Sequence, residues 1–398
     1  MSSDHGSPRT ALVLSGGGAR GAYEAGVVAG IVEVLAGRDR GHAPFSIFTG
    51  TSVGAINATW LAAHADQVDM NIEGLLAKWR ALKLHEHLRI RAVRLLRSRR
   101  DDDQWGRSLL DPRALEHLVE TEIPFKRLHT NVQQGVVHAL VVAALNVATG
   151  RTAMFAELAP EADFVPSRDP RRRGHVTRID CSHVLASAAI PVLFPARKVQ
   201  SAYYCDGGLR FNTPLAPAIR TGAGRLVVIS ALYRGVNLVS PDNQVDRPES
   251  QAYPNVIFLA GKVLNALLLD PLDYDLGILD RLNRLWTTLE QSLGRAEMER
   301  VTRVLQETRG QTYRRLRTLV FHPSENIGEI TSAHVRKLPR RSLPRLLFGM
   351  RARETAEADL LSFIMFDGEH AGHLIELGKR DAHVREHEIL DFFQDGSE

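Results

Sequence analysis

The chain has 398 residues, 44% hydrophobic and 24% charged, which is enough apolar mass for a sizeable core and unlike a disordered segment. Fifty basic against 46 acidic residues leave a formal net charge of +4, too balanced to argue for a nucleic-acid partner. Only two cysteines occur, Cys181 and Cys205, without C-x-x-C spacing, which argues against a disulfide scaffold or a structural zinc site.

The opening MSSDHGSPRT is polar and lacks the apolar stretch of a signal peptide. No run approaches the roughly 20 apolar residues of a membrane-spanning helix. The expectation is a cytoplasmic protein, with peripheral membrane contact open. Residues 11–15 then read as a buried strand, followed by a glycine-rich turn and a helix near 21–36. FSIFT (45–49) reads as a second strand, followed by G-T-S-V-G and a helix over 54–65. In LRIRAVRLLRSRR (88–100), Leu88, Ala92, Leu95 and Leu96 share one helical face, with Arg91, Arg94 and Arg97 opposite. Such a helix either lies on anionic lipid or packs its leucines inward with the arginines solvated.

VVHALVVAALNVATG (136–150) contains a β-prone run, and RDPRRRGHVTR (168–178) reads as a basic loop whose arginines either join a membrane-facing surface or are solvated. AYYCDGG (202–208) is a short strand entering a turn, and RLVVISA (225–231) and TLVFHP (318–323) are buried strands. Residues 234–254 and 333–353 read as loops. Between them Leu272, Leu276, Leu279, Leu282, Trp286, Leu289 and Leu293 draw one apolar stripe on a long helix, best suited to packing within the chain. No solenoid-like repeat occurs. Strands alternating with helices point to an α/β fold with a mainly parallel sheet.

Two chemistries compete for Gly16-x-Gly18-x-x-Gly21. Placed between a strand and a helix, it fits the dinucleotide fingerprint. That reading also needs a carboxylate ending the next strand, to bind ribose hydroxyls. The next strand ends instead in Gly50-Thr51-Ser52-Val53-Gly54. A G-x-S-x-G turn between strand and helix is a nucleophile elbow, in which glycines relieve crowding around a strained serine. Its helix directs a positive end at the hydroxyl. The first turn then gains another use. Gly16, Gly17 and Gly18 offer bare backbone N–H groups for an oxyanion, each such donor being worth roughly 2.7–4 kcal/mol. Arg20 adds positive charge or structural support.

A nucleophilic serine needs a base. Among 16 histidines, His183 in DCSHVLASAAIP is one candidate, although a histidine there also suits helix capping. Asp206 in YYCDGGLRFNTP is the other, at a strand end where Gly207 and Gly208 let the chain turn. Exposed, its pKa of about 3.9 makes a poor base; burial raises it.

With GGGARG at 16–21, GTSVG at 50–54 and DGG at 206–208, and with ASAAIPVLFPA (186–196) and FNTPL (211–215) between and after them, the chain resembles the patatin-like phospholipases over residues 11–220. The resemblance implies a three-layer α/β/α core and a Ser–Asp dyad without histidine. Ser52 would be nucleophile and Asp206 base, with Gly16 to Gly18 and Arg20 forming the oxyanion site. It implies ester hydrolysis in an acyl lipid, a phospholipid foremost, through an acyl-serine and without metal or cofactor. The implied organisation is a flexible 1–10, a catalytic core over 11–220, its continuation with a helical insertion over 221–325, and a helical C-terminal extension over 326–398. A nucleotide-binding protein and a catalytically inactive lipid-binding protein are the alternatives.

Overall fold

The computed structural model describes residues 8–36, 41–83, 113–191, 193–210, 215–234, 271–309, 315–339 and 361–394. Nine strands form one sheet: β1 (Thr10–Leu14), β2 (Ile47–Thr51), β3 (Ala139–Asn146), β4 (Thr152–Leu158), β5 (Arg172–Val176), β6 (Arg197–Val199), β7 (Ala202–Asp206), β8 (Arg225–Ile229) and β9 (Arg317–Phe321). Their order is β5-β4-β3-β2-β1-β8-β9, with β7 paired to the end of β3 and β6 to β7. The central run β3-β2-β1-β8-β9 is parallel throughout, and β4 and β5 are parallel to each other. Antiparallel pairing is confined to β3 with β4, β3 with β7, and β6 with β7.

The sheet is mainly parallel because its middle is covered on both faces. TALVL and IFTGT are buried at every position, as a strand roofed by helices on each side requires. Side chains alternate between the faces. Leu12, Leu14, Phe48, Leu140 and Val142 point into the larger core, shared with α1 (Gly21–Leu35), α2 (Val53–Ala63) and α3 (Ile72–Arg80). Ala11, Val13, Ile47 and Ala139 point the other way, toward Leu215 and Ala218 of α7 (Leu215–Arg220) and Leu279 of α8 (Pro271–Ser292). Three layers result.

The remaining described helices are α4 (Arg113–Glu122), α5 (Phe125–Gln133), α6 (Cys181–Ser187), α9 (Arg295–Arg309), α10 (Ile327–Lys337), α11 (Gly368–Val384) and α12 (Glu386–Phe393). The C-terminal region is helical, and α11 lies directly along α1. At their crossing a Cβ on Gly26 would fall 2.3 Å from the Ile375 carbonyl oxygen, and one on Gly378 2.4 Å from that of Tyr23. Leu374, Ile375 and Leu377 are buried there. The C-terminal helices are thus part of the layer that covers β1 and β2.

Some expectations need correction. Residues 172–176, read as part of a basic loop, form the edge strand β5 beside β4. Its alternation is hidden because an edge strand keeps charges exposed. The start of the 333–353 loop belongs to α10, which continues to Lys337. β4 and β6 were not anticipated. Of the apolar stripe, Leu279 is buried and Leu276 partly so against the sheet, while Leu282 is exposed. Residues 88–100, with Arg91, Arg94 and Arg97, lie outside the described residues. Among the described residues no helix is long and apolar enough to cross a membrane.

Backbone touching backbone at the α1–α11 crossing leaves no room for a side chain. Gly378→Val should cost about 1–3 kcal/mol by overpacking. Denaturant unfolding measures this, and an unchanged midpoint would contradict the crossing.

Candidate active site

Parallel strands that leave the sheet at one edge deliver their turns to the same place. β1 and β2 run in register, with Leu14 beside Gly50, so the glycine turn and the serine turn emerge together. Ser52 follows β2 with φ 56° and ψ −129°, a left-handed conformation costly for a non-glycine residue, by about 1–3 kcal/mol. The surroundings enforce it. A Cβ on Gly50 would lie 2.3 Å from the Gly54 carbonyl oxygen, and one on Gly54 2.4 Å from that of Ser15. The elbow therefore closes only with glycine at both positions, and α2 starts tight against the end of β1.

The Ser52 hydroxyl donates to Asp206 Oδ2 at 2.6 Å. Asp206 ends β7, opposite Ala144 of β3, and its Oδ1 accepts from the Gly208 amide at 2.7 Å. Gly207 starts the single 3-10 turn that follows. Asp206 is fully buried and Ser52 nearly so. Burial pushes the Asp206 carboxyl up to about 7, while the hydrogen bonds from Ser52 and Gly208 pull it down. A carboxylate with that value accepts protons far more readily than an exposed one.

The backbone N–H of Ser52 donates to Ser187 Oγ at 2.9 Å, and Ser187 donates on to the Ala143 carbonyl at 2.6 Å. Ser187, missed in the sequence although it sits in ASAAIP, ties the elbow to β3. It ends α6, whose N-terminus carries a capping box between Asp180 and His183. His183 Nδ1 lies 2.8 Å from Asp180 Oδ1 and its ring stands edge-on to Phe155, so this histidine caps a helix.

In the first turn Gly16 and Gly17 lead into a 3-10 turn over Gly18–Arg20, and Gly21 opens α1. Gly18 has φ +56°, and a Cβ there would lie 2.0 Å from the Phe363 carbonyl oxygen. The space over this glycine is thus filled by the protein's own backbone. Arg20 is buried; its Nε donates to Ser362 Oγ at 2.8 Å and its guanidinium sits 4.2 Å from the Phe363 ring centre. Arg20 therefore tethers the turn to residues far down the chain.

Behind the turn runs a buried polar chain. Glu24 accepts from Ser15 Oγ at 3.0 Å and from Asn57 Nδ2 at 3.3 Å, and Asn57 also holds the Gly21 carbonyl and the Trp79 indole. Ser15 in turn accepts from the Ala231 amide at 3.3 Å. Burial drives the Glu24 carboxyl up to about 8, against its hydrogen bonds from Ser15 and Asn57. None of this network was read from the sequence; a carboxylate among the small residues of the first turn of α1 was its one signal.

Beside Ser52, starting at Val53, opens an apolar groove of about 640 Å³ including its mouth. Leu75, Trp79, Leu115, Leu118, Phe194 and Phe366 form much of its wall. The Phe366 and Trp79 rings stack at 6.4 Å. Among the described residues no cluster of His, Cys, Asp and Glu has the geometry to hold a metal.

A family model described as patatin-like phospholipase matches residues 12–219. The cGAMP-activated phospholipase of Pseudomonas aeruginosa is 31% identical over 203 residues, 51% of this chain and 53% of that protein. The chain thus spans about half the length of the curated relative that it matches. Human GIVD cytosolic phospholipase A2, solved with methyl gamma-linolenyl fluorophosphonate, aligns at 12% identity and TM-score 0.42, covering 99% of this chain and 60% of that one. VipD from Legionella pneumophila aligns at 13% and 0.34, covering 93% and 67%. Overlaps that loose carry no argument about activity.

Glu24 gives the network a pH signature. Its folded value, about 8, lies above the ordinary 4.5, so its contribution is complete below 4.5 and lost as pH rises toward 8. Glu24→Gln should match the wild-type melting temperature at about pH 4 and exceed it at about pH 9. A variant melting lower throughout would contradict a neutral, buried Glu24.

Proposed function

Because the chain belongs to the patatin-like phospholipase family, we propose that it is a serine lipid acyl hydrolase that cleaves carboxylic esters of phospholipids. The observation that carries this reading is the 2.6 Å hydrogen bond from the Ser52 hydroxyl to a buried carboxylate with a raised proton affinity. Ser52 is the nucleophile and Asp206 the base. The groove starting at Val53 takes the acyl chain, its wall being almost wholly apolar.

As Ser52 Oγ bonds to the ester carbonyl carbon, its proton passes to Asp206 Oδ2 and the carbonyl electron pair moves onto oxygen. Amides of the Gly16 to Gly18 turn meet that oxyanion. The electrons return, the bond to the leaving alcohol breaks, and Asp206 hands its proton to that alcohol. Water then attacks the acyl-serine, Asp206 taking a proton from it. Collapse restores the Ser52 hydroxyl and releases a fatty acid. The positive end of α2 favours negative charge at the elbow throughout. In this account Arg20 acts on the oxyanion only indirectly, through the turn that it tethers.

A base that starts half-protonated near neutrality sets the pH profile. Asp206 must be ionised to act, so kcat/KM on a soluble ester should rise with pH through about 7 and then level. Ser52→Ala and Asp206→Asn should each lower kcat/KM by roughly 10³-fold or more, and Ser52→Ala should abolish labelling by a fluorophosphonate. His183→Ala should retain most activity. An active Asp206→Asn variant beside a dead His183→Ala variant would overturn the assignment.

A further inference from the structure

The apolar groove has an end as well as a mouth. Among the described residues one charged side chain, Lys78, lines it. Asn57, also in the wall, is already engaged: its Nδ2 donates to the Gly21 carbonyl and to Glu24, and its Oδ1 accepts from the Trp79 indole at 3.1 Å. α2 and α3 run antiparallel along the groove. Trp79, late in α3, meets Asn57 in the first half of α2, whereas the Asn71 carbonyl, just ahead of α3, accepts at 3.3 Å from the indole of Trp60 in the second half. Of the α3 wall, Leu82 therefore lies nearer Ser52 and Leu75 further from it.

The facing wall has the same polarity. Leu115, near the start of α4, packs against Ile190 and Phe194, which follow Ser187, and Ser187 holds the Ser52 amide. The other end of α4 lies by the start of α6, where burial, then the charges of Asp180 and Glu120, push the Cys181 thiol up. There Glu122, the last residue of α4, meets Lys78 Nζ at 2.7 Å, so an ion pair joins α3 to α4 away from the elbow. A helical side chain leans toward the N-terminus of its own helix, which for Lys78 is the end far from Ser52. The other charges of α3 turn to α11, Glu73 to Lys379 and Arg80 to Glu376. Lys78 and Glu122 keep 37% and 39% of their side chains exposed, which places the pair where the groove opens to water.

We propose that the Lys78–Glu122 ion pair sets the acyl-chain length that this groove prefers, as a charged stop that favours medium-length chains. Leu75 to Leu82 spans about 10 Å at the rise of an α-helix. A zigzag chain with bonds of about 1.5 Å covers that distance in roughly eight to ten carbons. Methylenes short of the pair leave water for an apolar wall. Those beyond it return to water or strip water from the charges, and neither is favourable. The proposal rests on the hydrolase reading and adds the acyl class of the substrate to it.

The test is kcat/KM over straight-chain p-nitrophenyl esters from butanoate to tetradecanoate, each kept below its micellar concentration. Wild type should gain about three- to four-fold per methylene up to decanoate and then level. In Lys78→Met, which replaces the ammonium by an apolar end, the ratio of tetradecanoate to butanoate should rise by about ten-fold or more. Lys78→Arg, which keeps a cation opposite Glu122, should keep the wild-type ratio. An exposed ion pair adds little stability, so the melting temperatures should agree. A Lys78→Met ratio equal to that of wild type, including one reached by a uniform loss at every length, would overturn the proposal. So would a wild-type profile that keeps rising to tetradecanoate. If wild type cleaves no ester of any length, the hydrolase reading fails, and calorimetric titration with the matching fatty acids decides the stop. Affinity that levels past decanoate in wild type but climbs in Lys78→Met upholds it, and parallel profiles refute it.

Discussion

A short hydrogen bond between a strained serine and a carboxylate sealed from water is the constraint around which this molecule is arranged. Ser52 is held in a left-handed conformation that its residue type disfavours. Asp206 is kept fully buried, where a carboxylate resists ionisation. Neither condition is stable alone. The parallel strands β1 and β2 fix the elbow in register, and the antiparallel addition of β7 to β3 brings the carboxylate across from another part of the chain. Ser187 joins the two halves by holding the Ser52 amide and the Ala143 carbonyl together.

The site is completed from beyond the stretch that the family model covers. Residues 12–219 contain the serine, the aspartate and the glycine turn. The contacts that hold the turn come from further along: Ser362 and Phe363 on Arg20 and Gly18, the Ala231 amide on Ser15, and Phe366 in the groove wall. Immediately after them α11 locks to α1 through the close backbone contacts of Gly26 and Gly378. The C-terminal region is therefore part of what gives the glycine turn its shape, and damage to it should be felt at Ser52.

What could be read from the residues follows a physical rule. Short-range signals were legible: apolar strands entering glycine turns, G-x-S-x-G, and an aspartate before two glycines. Each depends on residues within a few positions of one another. The central strands β1, β2 and β8 were visible because they are buried on both faces, and β9, at the sheet edge, because of its short apolar run. β5 was not, since an edge strand written RRGHV carries no alternation and resembles a solvated loop. Ser187, Glu24 and Ser362 escaped notice for a different reason. A buried polar residue is defined by its partner, and these partners lie 135, 9 and 342 positions away. His183 was ambiguous until the capping box with Asp180 gave it a local task.

Acylation of Ser52 is a covalent step that leaves a mass. Rapid acid quench of the chain during turnover of an activated ester, followed by peptide mass spectrometry, looks for the acyl-enzyme directly. One acyl adduct is expected, on the peptide containing Ser52 and at that residue. Steady hydrolysis with the adduct on another side chain would contradict it.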